Sequence, residues 1–227
     1  MGEWAEFLIA GFLFMGSHAI PSNKRLKGAI VGVVGQAGWV VLFSTLSTAL
    51  LFWVIFAATR APYVGLWPQE TWMRWLANIV MPVAVVLGTF GGGAANPFAF
   101  EGRGGFDPER PGIVGLVRQP LLWALALWGA VHLLVNGDLA HLVLFGVFLA
   151  FSLMGMRAME GRLRRQWGEA EFTRLAARTS GWPGQALLTG RWRPSGLPSL
   201  IRLAVAVVVW MGLWHLHAPV IGVSPFP

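Results

Sequence analysis

Long apolar runs alternate along this chain with shorter stretches rich in Arg, Gly and Pro. Six runs stand out, at residues 3–20, 38–58, 71–90, 121–136, 139–156 and 200–217. Each lies near the ~20 residues that a helical membrane span needs. The pattern predicts an all-α protein, a polytopic bundle of six transmembrane helices. The fourth and fifth runs are short and meet at Asn136-Gly137-Asp138. Gly137 suits the end of one helix and Asp138 the cap of the next, so the two should form an antiparallel pair. After the fifth run, Met159, Leu163, Trp167 and Ala170 recur at helical spacing among arginines. That spacing predicts an amphipathic helix over 157–178, lying on the cytoplasmic membrane surface between spans five and six. Beyond it, Pro183, Pro194 and Pro198 interrupt any regular helix before the last run. The stretch 88–120 is rich in Gly and Pro and reads as a flexible loop or lid. Gly91-Gly92-Gly93 lacks the Lys-Ser/Thr that a phosphate-binding loop requires.

Composition agrees with this pattern. The 227 residues are 56% hydrophobic and 12% charged, with a mean hydropathy of +0.61. A soluble domain carries about 25% charged residues, so an ordinary cytosolic enzyme and a disordered chain are both excluded. The length suits a single membrane domain over 1–227, with the lipid bilayer as its main partner. The absence of cysteine removes disulfides, iron–sulfur clusters, thiolate metal sites and covalently attached haem. Net charge is +7, yet the cations do not call for nucleic acid. All but Arg60 and Arg74 of the 17 Lys and Arg follow the first, third or fifth run. The positive-inside rule then places these three connections in the cytoplasm and both termini in the periplasm. Glu3 and Glu6 make the start acidic, unlike a secretory signal, so the first run reads as a retained membrane helix. Trp67, Trp72 and Trp75 fit an interfacial aromatic belt at the outer ends of spans two and three.

Ionisable side chains inside membrane spans are costly and mark candidate sites. Here they are histidines: His18 near the cytoplasmic end of span one, His132 in the outer half of span four, and His141 at the start of span five. Helical rise puts His18 ~22 Å from the outer end of its span and His132 ~18 Å from the cytoplasmic end of its own. Their depths thus differ by roughly 10 Å in a core of ~30 Å. Two imidazoles with few other ligands suit b-type haem better than zinc. The alternative is that each ring only donates to a neighbouring carbonyl. If they are ligands, the second ring nitrogen should donate to a carbonyl or hydroxyl, with Ser17 and helix carbonyls near Val131 as partners. His215 and His217 are two apart, point to different helix faces and read as structural. Arg118, at the cytoplasmic mouth of span four, has two open readings. It pairs with a propionate or anionic head group, or it snorkels to fix topology.

The motifs carry a family resemblance. His18-Ala19-Ile20-Pro21-Ser22, Asn96-Pro97, Gly112 to Pro120, His132-Leu133-Leu134-Val135-Asn136-Gly137-Asp138 and Ala177-Arg178-Thr179-Ser180 resemble the NnrU family. The resemblance runs over 1–183, and leaves 184–227 as a cytoplasmic linker plus the last span. That family is similar to the 15-cis-zeta-carotene isomerases, membrane enzymes with non-covalent haem b. The resemblance implies a protein of the bacterial inner membrane with haem iron held by His18 and His132. It implies either cis-trans isomerisation of a hydrophobic polyene or a role in nitrogen-oxide metabolism during denitrification. The chain also resembles integral membrane methyltransferases that use S-adenosylmethionine, with Arg118, Pro120, Glu160 and Glu169 in corresponding regions. It departs from both patterns at Gln119, where they have His. A non-catalytic membrane assembly factor is the third reading.

Overall fold

The structure, a computed structural model, describes residues 2–99, 102 and 104–227. Arg103, counted among the cytoplasmic cations, lies outside the described residues, as do the side chains of Glu3 and Ser22 and all of Met1. Among the described residues the regular elements are helices: α1 Gly2–Ser17, α2 Lys24–Arg60, α3 Thr71–Gly91, α4 Ile113–Leu116, α5 Pro120–Asn136, α6 Leu139–Trp167, α7 Glu169–Ala176, α8 Gln185–Leu188 and α9 Leu200–Ile221. All six apolar runs are helical. Four helices, α2, α3, α6 and α9, are long and apolar enough to cross a membrane, whereas Trp4–Ser17 and Pro120–Asn136 are shorter. Only 6% of the apolar window of α9 and 11% of that of α2 is buried. Exposed apolar side chains such as Val33 on α2 and Val208 on α9 suit contact with lipid.

Several boundaries differ from the expected ones. The first run ends at Ser17, three residues early. His18 and Ala19 close tight turns onto Met15 and Gly16, and a 3-10 turn over Ile20–Ser22 follows. The basic stretch after it is not a loop. Asn23 accepts from Leu26 N at 3.1 Å and caps α2, which starts at Lys24 and bends at Gly35. There φ is +72°, a conformation open to glycine. The expected surface helix over 157–178 is divided: α6 runs on to Trp167, Gly168 turns at φ +80°, and α7 begins at Glu169. Outside any span, hydrogen bonds from Arg164 and Arg174 hold the Glu169 and Glu171 carboxyls below their ordinary range. Between α3 and α5, the described part of the expected lid holds α4.

The chain forms two compact units, Met1–Pro68 with Asn136–Leu144, and Gln69–Val135 with Phe145–Pro227. In the first, α1 lies antiparallel to α2. Glu6 accepts from Trp53 Nε1 at 3.0 Å and pairs with Arg60, and Phe7, Ala10 and Phe14 are buried. The 136–138 turn is as expected. Gly137 has φ +68°, and a Cβ there would lie 2.4 Å from Trp67 O. Asp138 Oδ1 accepts from His141 N at 3.1 Å.

In the second unit α3 and α9 run antiparallel. Trp214 Nε1 donates to Asn78 Oδ1 at 3.0 Å, and Arg202 Nη1 to Phe90 O at 2.6 Å. The antiparallel pairing of α5 with α6 is also as expected. Gln119 Nε2 donates to Met156 O at one end, and the His132 ring meets Phe145 at the other. Between them Gly129 allows close approach, since a Cβ there would sit 3.1 Å from Phe145 O. Phe98, Val114, Leu163, Phe172 and Ala176 pack a separate apolar core between the connections.

Candidate functional site

Each unit holds one of the two predicted ligand histidines. In the first, His18 follows the last residue of α1, so its ring falls back on the preceding turn. Its Nδ1 lies 2.8 Å from Phe14 O. A carbonyl can only accept, so Nδ1 is the donor in this contact. Ser47 Oγ on α2 lies 3.3 Å from that Nε2, and the rings of Phe14 and Phe43 flank the imidazole at 4.6 and 5.6 Å. Ser17 Oγ is 3.4 Å from Nδ1 but donates to Phe14 O at 2.7 Å. In the same unit His141 Nδ1 pairs with Asp138 Oδ2 at 2.7 Å.

In the second unit His132 repeats the His18 arrangement. Its Nδ1 donates to Trp128 O, one turn back, at 2.9 Å. The rings of Trp128 and Phe145 lie 5.4 and 5.0 Å from the imidazole and 5.0 Å from each other, so the three form one aromatic cluster. The expected orienting bond is therefore present at both histidines, to the i−4 carbonyl in each case. His132 also has an imidazole neighbour that the sequence pattern assigned to structure alone. The His217 ring, from α9, lies 6.4 Å away with planes 30° apart. His217 Nδ1 donates to Val223 O at 2.6 Å. The two-residue spacing correctly separates His215, which bonds Met211 O. Spacing carries no information about which helix lies opposite, so the contact had no signal in the sequence.

Arg118 is held by protein partners. Extended backbone at Val117 and the fixed φ of Pro120, which opens α5, turn it inward. Its Nε donates to Glu160 Oε1 at 2.7 Å and Nη1 to Thr179 Oγ1 at 3.3 Å. The side chains of Arg118 and Glu160 are only 13% and 24% exposed. The rings of Phe98 and Phe172 lie 5.9 and 5.8 Å from the guanidinium. The backbone is held as tightly: Arg118 N donates to Ser180 O at 2.7 Å, and Asn96 Nδ2 donates to Arg118 O at 2.8 Å. Ser180, fully buried, donates to Gly115 O and accepts from Ala186 N. Gln119 is buried too and spends its amide on Met156 O at 3.3 Å.

A family model, NnrU protein, matches residues 6–225. The chain belongs to the NnrU family. No curated protein and no solved structure matches it. In this NnrU chain the segments that carry the resemblance are spatially organised. The stretch from His18 to Ser22 makes the turn between α1 and α2. Asn96, Arg118, Glu160 and Thr179-Ser180 converge on one buried polar cluster. The stretch from His132 to Asp138 ends α5 and forms the turn into α6. Among the described residues no group of three or more His, Asp or Glu gathers to hold a bare metal ion. Haem makes a smaller demand. The macrocycle supplies four nitrogens, and the protein needs to add only axial imidazoles. The Nδ1-anchored rings of His18 and His132 have that donor chemistry.

Proposed function

We propose that this NnrU protein spans the bacterial inner membrane six times and binds haem b non-covalently, with His132 and His18 as axial ligands. Its activity is then cis-trans isomerisation of a hydrophobic polyene or a step in nitrogen-oxide metabolism. The observation that carries the reading is the shared geometry of the two imidazoles, each with Nδ1 fixed on its i−4 carbonyl. Such orienting bonds fix the tautomer and raise the basicity of a ligating His. Bound there, haem supplies redox-active iron within reach of a membrane-dissolved substrate. Phe14 and Phe43 give His18 aromatic neighbours, as Trp128 and Phe145 do His132.

Helix pairing supports the six-span count. The start of α5 lies beside the end of α6, at Gln119 and Met156. If α6 crosses the membrane, α5 returns across it. Likewise α1 runs along α2 from Arg60 back to Ser47. At ~1.5 Å per residue, each short helix reaches roughly 25 Å, which a locally thinned bilayer accommodates.

The 6.4 Å approach of His217 to His132 favours a second reading, in which His217 is the other axial ligand. Absorption spectra of detergent-purified variants separate the two. A Soret band in the wild-type protein that is lost or shifted in His132→Ala and His18→Ala, and intact in His217→Ala, supports the first. Loss in His132→Ala and His217→Ala, with His18→Ala unchanged, supports the second. No Soret band, with binding of S-adenosylmethionine, supports the methyltransferase, and neither signal supports an assembly factor. The methyltransferase reading has lost a donor, because Gln119 stands where the pattern has His and is committed to helix packing.

A further inference from the structure

A cavity of about 260 Å³ opens in the second unit where α3 ends and α9 begins. Phe90, Phe106 and Ile113 give it apolar walls, and Arg110, Arg202 and Asp107 give it charge. Arg202 lies in the first turn of α9, and its Nη1 donates to Phe90 O in the last turn of α3. Unpaired carbonyls at a helix C-terminus favour a cation there. A guanidinium has five N–H donors in one plane, more than this single contact uses. Asp107 caps its own turn, accepting from Glu109 N at 2.9 Å, while Arg110 N donates to Asp107 O at 3.1 Å. That turn brings Arg110 to the rim. Among the described residues, two guanidinia against one carboxylate make the lining cationic. The cavity sits at the ends of two candidate spans, α3 and α9, and on the six-span reading proposed above that is the depth where hydrocarbon gives way to water.

We propose that this cavity binds the phosphate of an anionic amphiphile. Arg110 and Arg202 grip the phosphate oxygens, for which planar guanidinium geometry is suited. Phe90, Phe106 and Ile113 take the adjoining apolar part of the ligand. Asp107 opposes the anion and limits its affinity.

The test uses the full-length protein in neutral detergent, titrated with phosphatidylglycerol or phosphatidylcholine and read by native mass spectrometry. Phosphatidylglycerol should be retained severalfold more strongly than phosphatidylcholine. Arg110→Gln should weaken that retention at least threefold, Asp107→Asn should strengthen it, and Arg162→Gln, on exposed α6, should leave it unchanged. Arg202→Gln should also weaken it, but this variant removes the Phe90 contact as well, so Arg110→Gln is the deciding substitution. Competition by millimolar glycerol 3-phosphate would assign the site to soluble phosphate esters, and its absence to lipid. Equal losses in Arg110→Gln and Arg162→Gln would overturn the proposal by reducing it to diffuse surface charge. So would weaker retention in Asp107→Asn, or no preference between the lipids without binding of glycerol 3-phosphate.

Discussion

Arg118 and Glu160 are 42 residues apart in sequence and 2.7 Å apart in space, mostly shielded from solvent. Removing either partner strands the other's charge. Arg118→Ala or Glu160→Gln should each cost about 2–4 kcal/mol of stability, as expected for breaking a buried charged hydrogen bond. Denaturant melting in detergent checks this. Arg162→Ala, at an exposed position, should cost roughly 0.5 kcal/mol or less. A double Arg118→Ala/Glu160→Gln variant should cost less than its two singles together, and strict additivity would mean the pair does not couple. Gly137→Ala should cost at least about 1 kcal/mol, because φ is positive and the new Cβ would meet Trp67 O. His18 and His132 were legible as candidates because an imidazole in an apolar run needs a partner and the i−4 carbonyl is always at hand. The Arg118–Glu160 pair and the His132–His217 approach were not, since both depend on tertiary packing.

The six apolar runs were legible as helices because their lengths and composition leave no alternative in hydrocarbon. Their ends were not. Lys24, Arg25 and Lys27 suggested a loop by polarity, yet Lys, Arg and Leu are good helix formers and Asn23 caps them. In the same way α6 runs past the end of its apolar run to Trp167 as one helix, because no proline interrupts it before the turn at Gly168. The α5–α6 pairing has a clean test in a chain without native cysteine. Leu122 Cδ1 lies 3.9 Å from where a Gly155 Cβ would be, and Leu133 Cδ1 3.6 Å from that of Gly146. Leu122→Cys/Gly155→Cys and Leu133→Cys/Gly146→Cys should cross-link under mild oxidation, whereas Leu122→Cys/Gly146→Cys should not. The reverse outcome would place the helices in another register.

For the whole molecule, the sorting of the basic residues and the antiparallel pairings of α1 with α2, α3 with α9 and α5 with α6 support the proposed six-span topology. A reporter fused after Pro227 should read out in the periplasm, and a cytoplasmic readout would overturn both the six-span count and the depths assigned to His18 and His132. The charge of the connections is what the sequence offers on orientation, and the fusion readout tests it. The proposed cofactor has only isolated imidazoles behind it in the sequence, and resemblance supplies the rest. The most direct measurement is therefore the pyridine haemochrome spectrum of the purified full-length protein, expressed with haem available. About one b-type haem per chain, lost in His132→Ala at equal yield of folded protein, is the expected result. A folded protein without a b-type spectrum, or one whose haem content is unchanged by His132→Ala, would contradict it.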